Sequence, residues 1–206
     1  MGVRNTDADV TRFVELAADC RRVVGFTGAG ISTESGIPDY RGKGGIWTRF
    51  QPVYFEEFQS DPEKRRLYWE RKAEVWPAIR DAEPNAGHRF FTDLREEGRL
   101  FGVVTQNVDG LHEKSGLPPD LVVNIHGNTR ETVCLSCGYR VDSDKVFRTL
   151  DLDAGAPRCP ECGGLLKPNT ISFGQQLNPR TLDRAQELAR GCDCMVVFGS
   201  TLIVYP

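Results

Sequence analysis

The sequence predicts an α/β protein with a parallel, doubly wound sheet, because four short apolar segments alternate with helical ones. The candidate strands are Val23–Thr27, Leu100–Thr105, Leu121–His126 and Met195–Ser200. Two helical stretches stop at glycine, Asn85–Glu97 before Gly98 and Arg180–Arg190 before Gly191. Glycine or polar residues follow each strand, and ligands of such sheets bind outside the carboxyl ends of the strands.

A helix is predicted ahead of the first strand, over residues 7–20. Thr6 or Asp7 can cap it. Its apolar side chains share one face, which we expect to be buried: Val10, Phe13, Val14, Ala17 and Ala18.

Two segments interrupt the alternation of strands and helices. Residues 42–84 are rich in aromatic and charged side chains and are predicted to form a helical insertion. Residues 130–165 contain two CxxC pairs and little apolar mass, so this segment is predicted to need a metal ion for its order.

Charge and hydropathy exclude several classes of protein. The chain has 206 residues, with 26 basic and 29 acidic side chains and a net charge of -3. This balance offers no basic surface for a nucleic acid or an anionic membrane. No apolar run approaches the roughly 20 residues that span a bilayer, and the N-terminus lacks the apolar stretch of a signal peptide. We expect a cytoplasmic protein with no direct nucleic-acid or membrane partner.

The two CxxC pairs predict a structural zinc site. The pairs are separated by 21 residues, a spacing close to that of zinc ribbons, and their ligands are Cys134, Cys137, Cys159 and Cys162. Four thiolates leave no open coordination position for catalysis, and iron in the same cage is the alternative. The other three cysteines, Cys20, Cys192 and Cys194, are expected to be ordinary buried thiols.

A glycine loop follows the first strand at Gly28-Ala29-Gly30. Such a loop lets backbone N–H groups approach a pyrophosphate, and the next helix N-terminus adds a favourable dipole. A tight strand-to-helix turn is the other interpretation. The position of the third glycine in a dinucleotide fingerprint is Thr33, which disfavours a hydride-transferring dehydrogenase.

Three further motifs make the sequence resemble the sirtuin family. The glycine loop continues as GAGISTESGIPDYR, from Gly28 to Arg41, and the second strand runs into TQNVDGLH, from Thr105 to His112. His126-Gly127 follows the third strand, and the fourth strand ends in FGSTL, from Phe198 to Leu202. The motifs occur in the family's order and cover essentially the whole chain.

The resemblance implies a fold with three parts. A Rossmann-like NAD-binding domain would comprise residues 1–41, 85–129 and 166–206. The helical insertion would be residues 42–84, and the small zinc-ribbon module would be residues 130–165.

The resemblance also implies an NAD-dependent protein lysine deacylase, which transfers the acyl group to ADP-ribose and releases nicotinamide. His126 matches the family's general base, and Asn107 and Asp109 match residues of the nicotinamide pocket. Asn107 and Asp109 would instead only cap a turn if the resemblance were set aside. His88 and His112 are expected to support structure rather than catalysis.

The predicted NAD contacts extend over several motifs. Asp39, Tyr40 and Arg41 match the loop that closes over NAD, where an aromatic ring can shield the sugar from water. The full predicted set is Gly28, Ala29, Gly30, Ser32, Asp39, Tyr40, Arg41, Gln106, Asn107, Val108, Asp109, Gly199, Ser200 and Thr201.

Tyr68 and Arg71 are the candidate substrate residues. They are three residues apart, which places them on one helix face, and they resemble the pair that binds acidic acyl groups in desuccinylating sirtuins. A role on the helix surface, without substrate, is the alternative. The expected partner is an acyl-lysine protein or peptide.

Family members continue through further strands and helices after the position of Pro206, and those segments contact the adenosine half of NAD. We therefore expect this chain to be a fragment. Two other functions stay open: an NAD-dependent protein ADP-ribosyltransferase, and a catalytically weak zinc-bearing binding module if the chain ends at Pro206.

Overall fold

The computed structural model describes residues 6–42 and 45–203. The parts of the predicted domains that fall on residues 1–5, 43–44 and 204–206 lie outside the described residues. The strands, in chain order, are β1 (Val23–Thr27), β2 (Leu100–Thr105), β3 (Val122–Asn124), β4 (Gly127–Cys134), β5 (Arg140–Asp142), β6 (Leu166–Thr170) and β7 (Cys194–Phe198). The helices are α1 (Asp7–Ala17), α2 (Ile46–Arg49), α3 (Phe55–Ser60), α4 (Pro62–Asp81), α5 (Ala86–Glu96), α6 (Leu111–Lys114), α7 (Ser143–Arg148) and α8 (Pro179–Gly191).

The larger sheet is four-stranded, in the order β3-β2-β1-β7, and each of its pairings is parallel. This confirms the predicted α/β class. The third strand is shorter than predicted, because a 3₁₀ turn over Pro119–Leu121 precedes it and the strand ends at Asn124. His126 therefore lies beyond the end of the strand, in the connection to β4.

Both faces of the larger sheet are buried along β1 and β2, whereas Met195 and Val197 of β7 are 40% and 37% exposed. Val23 and Val24 are neighbours on β1, and their side chains enter two different core clusters on opposite faces. On one face Phe91 of α5 packs so closely that a Cβ atom on Gly25 would lie 2.5 Å from its ring. Leu188 of α8 packs into the cluster on the other face.

The second sheet is antiparallel, three-stranded and ordered β5-β4-β6. It extends beyond the predicted zinc module at both ends, since β4 begins at Gly127 and β6 covers residues that we assigned to the larger domain. The expectation of little apolar mass is wrong here. Residues of the module share one hydrophobic core with the helical insertion. The buried residues of this core are Val53, Phe58, Tyr68, Trp69, Cys134, Val146, Cys159 and Leu166.

The helical insertion is confirmed by α2, α3 and α4. The longest of them, α4, begins after the cap Asp61, whose side chain accepts hydrogen bonds from the amides of Glu63 and Lys64. Its buried aromatic residues connect it to the second sheet, because Trp69 and Trp76 both pack on Phe147 of α7, with ring centroids 5.6 and 4.8 Å away.

The first helix differs from its prediction in what it buries. Thr6 caps it through a capping box with Asp9, as expected. However, α1 ends at Ala17, and none of its residues is buried by the part of the chain that the structure describes. Val10 and Val14 are 54% and 58% exposed.

Two negative findings concern the described residues. No helix within residues 6–42 and 45–203 combines the length and apolar character needed to cross a membrane. The three remaining thiols, predicted to be buried, are only half-buried: Cys20, Cys192 and Cys194.

Candidate active site

The carboxyl ends of β1 and β2 are joined by buried hydroxyl groups. The Thr27 and Thr105 hydroxyl oxygens are 2.8 Å apart, and Nε2 of His112 lies 2.9 Å from the Thr27 oxygen. His112 packs against His88 with ring centroids 5.0 Å apart, and burial lowers the pKa of His112 to about 3. Both histidines lie in the core as neutral rings, in agreement with the structural role expected for them.

A hydrogen-bonded cluster of Ser32, Asn107 and Asp109 lies in the segments that follow β1 and β2. The Ser32 hydroxyl donates to Oδ2 of Asp109 at 2.8 Å and accepts from Nδ2 of Asn107 at 3.0 Å. All three side chains are buried. The Oδ1 atom of Asn107 has no hydrogen-bond partner in the described part of the chain, so the cluster presents a buried, unpaired acceptor.

Asp109 is held by its surroundings on both sides. Its Oδ1 accepts from the amide of Leu111, the first residue of α6, at 2.9 Å, which closes the turn before the helix, and its carbonyl accepts from Nε of Arg130 at 2.7 Å. Gly110 takes a φ of 71° between them, a conformation that glycine adopts without strain. The capping role that we considered as an alternative therefore exists, but only one carboxylate oxygen serves it.

His126 is half-buried, and its orientation is set by the backbone of β2. Its Nδ1 lies 3.0 Å from the carbonyl oxygen of Gln106. A carbonyl can only accept, so Nδ1 carries the proton and Nε2 is left as a basic lone pair. Burial lowers the pKa of His126, while the bond to Gln106 acts in the opposite direction. The ring is thus a neutral base near pH 7.

Gln106 also contacts the loop after β7. Its Oε1 accepts from the Ser200 hydroxyl at 3.0 Å. On the same segment, the carbonyl of Val108 accepts from the amide of Thr129 at 2.7 Å. The structure thereby brings the predicted residues of the second and fourth strand ends together, whereas Thr201 is exposed.

The glycine loop packs on the backbone of the loop after β7. The amide of Gly28 donates to the carbonyl oxygen of Phe198 at 3.0 Å, and the amide of Gly30 donates to the carbonyl oxygen of Gly199 at 2.9 Å. A Cβ atom on Gly28 or Gly30 would lie 2.8 Å from Gly199, so close approach requires both glycines. Both of these amides are bound to main-chain carbonyls, and a phosphate contact by the Gly28-Ala29-Gly30 loop stays a prediction. The helix that follows, Ala29–Ser35, is a 3₁₀ helix.

The predicted NAD-closing loop is placed only in part at the site. Oδ1 of Asp39 accepts from the amide of Gly42 at 2.7 Å, so this carboxylate shapes its own turn. Tyr40 lies near Asp109: burial first, and then the charge of Asp109, raise the pKa of its hydroxyl to about 12. Arg41 is exposed.

Tyr68 and Arg71 lie on α4 but have different surroundings. Tyr68 is buried, with its hydroxyl oxygen 3.4 Å from that of Thr170. Arg71 is half-buried; its guanidinium donates to the carbonyl of Gln51 and lies 5.3 Å from the ring centroid of Phe50. The Nε atom of Arg71 is buried without a partner among the described residues.

The four CxxC thiols form a cage, as predicted. All four sulfur atoms lie within 4.8 Å of one another, with Sγ–Sγ distances of 3.6 Å between Cys134 and Cys162 and 3.7 Å between Cys137 and Cys159. Four soft thiolate donors at this spacing fit a tetrahedral zinc ion. The cage belongs to the second sheet and shares no residue with the cluster around Asp109.

Sequence reasoning missed two positioning residues. Asn85 caps α5, and its Nδ2 donates to the carbonyl of Ile31 at 2.7 Å, which fixes the turn that carries Ser32. The N-cap pattern before α5 was a signal that could have indicated Asn85. Arg130 also donates to the carbonyl of Ile79 at 2.9 Å, and no local pattern in the sequence indicates this contact.

Comparisons with known proteins agree with this geometry. The model of the Sir2 family matches residues 28–206. The NAD-dependent protein deacetylase 1 of Bradyrhizobium diazoefficiens is 42% identical over 197 residues, which cover 96% of this chain and 77% of the relative. The NAD-dependent protein deacylase of Aeropyrum pernix is 40% identical over 194 residues, covering 93% of this chain and 75% of the relative.

Solved structures show the same fold. A Sir2 mutant solved with a deacetylated p53 peptide and 3'-O-acetyl-ADP-ribose has a TM-score of 0.84 at 34% identity, covering 96% of this chain and 78% of that chain. A mutant Sir2 homologue solved with ADP-ribose has a TM-score of 0.83 at 35% identity, covering 95% of this chain and 76% of that chain. The fold, the strand-end cluster and the cysteine cage, together with these matches, place this chain in the Sir2 family.

Proposed function

We propose that this chain is an NAD-dependent protein lysine deacylase, which transfers the acyl group from lysine to ADP-ribose and releases nicotinamide. The observation that carries the proposal is the cluster of Ser32, Asn107 and Asp109. Its buried Asn107 Oδ1 atom has no partner among the described residues, and the Asp109 carboxylate lies two residues further along the chain. His126 is attached to the same segment through the carbonyl of Gln106. Relatives named as NAD-dependent deacetylases and deacylases support it.

The residues of the cluster fit the nicotinamide end of NAD. A buried amide oxygen without a partner costs about 1–3 kcal/mol, and a donor from a ligand would remove that cost. The carboxamide of nicotinamide has such a donor, so Asn107 would accept from it. Asp109, Ser32, Gln106 and Val108 form the rest of the nicotinamide pocket, and bound NAD supplies the sugar to which the acyl group is transferred.

His126 acts as the general base. Its Nε2 lone pair accepts the proton of a sugar hydroxyl, and the Nδ1–H bond to Gln106 fixes the tautomer and stabilises the imidazolium that forms. The ring of Tyr40 would shield the reacting sugar from water near Asp109, and its hydroxyl stays uncharged at physiological pH because its pKa is raised to about 12. Asp39 orders the turn that carries Tyr40, and Arg41 is free to approach phosphate from solvent.

Gly199 and Ser200 complete the cofactor side of the site through their contacts with the glycine loop and Gln106. In this assignment Gly28 and Gly30 support the site by close packing on Gly199, and Ala29 between them would contact the cofactor. Thr201 would contact the cofactor from the exposed end of the loop.

Zinc is structural in this function. The four thiolates close the coordination sphere, so the ion supplies no Lewis-acid chemistry to the substrate. Bound to Cys134, Cys137, Cys159 and Cys162, it would hold the two CxxC turns together and stabilise the second sheet, whose strand β4 begins at Gly127, directly after His126.

The surroundings of Tyr68 support a preference for acidic acyl groups. The ammonium nitrogens of Lys72 and Lys167 lie 5.5 and 5.6 Å from the centroid of its ring. Neither lysine forms a salt bridge with another described residue, and burial lowers the pKa of Lys72 to about 8 and of Lys167 to about 7. An acyl carboxylate near Tyr68 and Arg71 would supply the missing negative charge.

The test is nicotinamide release from NAD with an acyl-lysine peptide, measured with product mass analysis. We expect peptide-dependent release, formation of O-acyl-ADP-ribose, and loss of both in His126→Ala. The control variant is Thr33→Ala, an exposed residue on the same turn as Ser32. Transfer of ADP-ribose to a protein side chain would support the ADP-ribosyltransferase alternative. Failure to bind NAD would support the zinc-bearing binding module.

A further inference from the structure

A cavity lies outside the candidate active site. Its volume is about 830 Å³, and it is enclosed by the β3 region, the start of β4, the end of β6 and the first turns of α8. None of the residues that we assign to catalysis, NAD or zinc lines it. The cavity is therefore not part of the deacylase pocket, and the inference drawn from it does not depend on the proposed function.

The walls of this groove carry mostly positive charge. Arg180 and Arg184 lie on α8 four residues apart, on one face of the helix, and Arg140 lies across the groove on β5. Asp120 is the only acidic residue among those that line it. Like charges at this spacing repel each other, so an anionic occupant would stabilise the arrangement.

The arginines are only partly neutralised by the protein. Arg140 pairs with Glu131, and Arg184 pairs with Glu187 at 3.2 Å, and these pairs lie on the solvent-exposed surface. Arg180 forms no ion pair within residues 6–42 and 45–203. Guanidinium groups bind carboxylates through paired N–H donors, which makes acidic side chains suitable ligands.

The floor of the groove is the open edge of the larger sheet. β3 is the terminal strand, paired only with β2 among the described strands. The amide of Ile125 donates to the carbonyl oxygen of Thr105 on β2 at 3.0 Å. Successive amides of a strand point to opposite sides, so the amide of Asn124 points away from β2 towards the groove. Amide side chains surround this edge, namely Asn124, Asn128, Asn169, Gln175, Gln176 and Asn178.

This floor is connected to the catalytic base. Ile125 and Gly127, the chain neighbours of His126, both line the groove, and the carbonyl of His126 accepts from the amide of Ile171 at 2.8 Å. Ile171 also lines the groove. An occupant would therefore touch the backbone that positions His126.

We propose that this groove binds an extended, acidic segment of a partner protein. The main chain of the segment hydrogen-bonds to the edge of β3, and its carboxylates pair with Arg140, Arg180 and Arg184. An open strand edge favours a polypeptide, because a main chain can continue the sheet. The surrounding arginines select acidic side chains within it.

The test measures fluorescence anisotropy of a fluorescein-labelled peptide of alternating Glu and Val, six residues long, with the purified chain. We expect saturable binding that weakens with salt, and at least a tenfold rise in Kd for Arg180→Glu combined with Arg184→Glu. Arg190→Glu is the matched control, since Arg190 lies on α8 outside the groove, and its Kd should stay within twofold. Methylation of alternate peptide amides should also weaken binding at least tenfold.

Three outcomes would overturn the proposal. These are no binding up to 1 mM peptide, equal Kd values for the double variant and the Arg190→Glu control, and equal Kd values for the methylated and unmethylated peptides. Displacement of the peptide by inorganic phosphate, but not by chloride at equal ionic strength, would show a small-anion site instead. The assay contains neither NAD nor acyl-lysine, so its result is independent of the deacylase test.

Discussion

Nδ1 of His126 lies 3.0 Å from the carbonyl oxygen of Gln106, the residue directly before Asn107. One short segment after β2 therefore orients the predicted base through its backbone and carries the buried Asn107 and Asp109 side chains. The two parts of the site cannot move independently. The consequence is a fixed tautomer of His126, with Nε2 available for proton transfer.

The pH dependence of activity follows from the burial of His126. Burial lowers the pKa of its ring below the usual value of about 6.5, so the neutral, active form persists to a lower pH. We expect kcat/KM to be constant from pH 7 to 8 and its acid limb to have a midpoint below pH 6.5. A pH profile of deacylation at low NAD measures this. An acid limb centred above pH 7 would contradict it.

Asn107 is predicted to bind the cofactor rather than stabilise the fold. Asn107→Leu removes the buried, unpaired Oδ1 atom. We therefore expect at least a tenfold weaker inhibition by nicotinamide. The variant also loses the Nδ2 bond to Ser32, worth about 1 kcal/mol, so the thermal midpoint should fall by only about 2–4 °C. Thr33→Ala is the control. A thermal midpoint that falls sharply while nicotinamide inhibition stays normal would assign a structural role to Asn107.

Zinc is predicted to bind once per chain. Cys137→Ser removes one of four ligands, and we expect zinc content to fall by at least tenfold and the thermal midpoint to fall by roughly 10 °C. Cys192→Ser is the matched control, because Cys192 is a thiol outside the cage. Elemental analysis and thermal denaturation measure both values. A chain that keeps its zinc without Cys137 would contradict the four-thiolate site.

The burial of His112 makes stability depend on pH. Its pKa is lowered to about 3 in the folded state, whereas the unfolded state has about 6.5. The unfolded state binds the proton first, so stability is complete above pH 6.5 and falls by about 1.4 kcal/mol per pH unit below it. Urea unfolding from pH 7 to 5 measures this slope. In His112→Asn the slope should decrease by about 1 kcal/mol per pH unit, and an unchanged slope would show that other groups cause it.

The acyl preference is predicted to depend on Arg71 and Lys72. Arg71→Met and Lys72→Met should each lower kcat/KM for a succinyl-lysine peptide at least tenfold, while kcat/KM for the acetyl-lysine peptide stays within twofold. Arg66→Met is the control, since Arg66 is an exposed residue of α4 that pairs with Glu70. If the wild-type chain does not prefer succinyl-lysine, or if neither variant changes the ratio, the helix-surface interpretation of Tyr68 and Arg71 holds.

Local patterns predicted most of the secondary structure. β1 and β2 have the predicted bounds, because each is an apolar run that ends in a polar residue or glycine. The third strand was predicted too long, since its apolar run continues past the point where backbone pairing stops. α1 shows another limit: its apolar face is visible in the sequence, but whether that face is covered depends on other segments.

The zinc cage was evident from spacing, whereas the site residues were predicted from the resemblance to the sirtuin family. Cys134 and Cys162 are distant in sequence, but CxxC turns have so few uses that their pairing could be predicted. By itself the sequence determined the fold class and the four thiol ligands, and the family resemblance predicted His126 as the base.

Only the tertiary structure decided how these groups contact one another. It showed that the amides of Gly28 and Gly30 bind to the loop after β7, that Oδ1 of Asn107 has no partner among the described residues, and that Arg130 donates to the carbonyl of Asp109. These contacts join residues from different strands and loops. Whether these hydrogen bonds form depends on differences of a few tenths of an ångström in the donor–acceptor distance. Tertiary packing sets those distances, and local sequence patterns do not encode them.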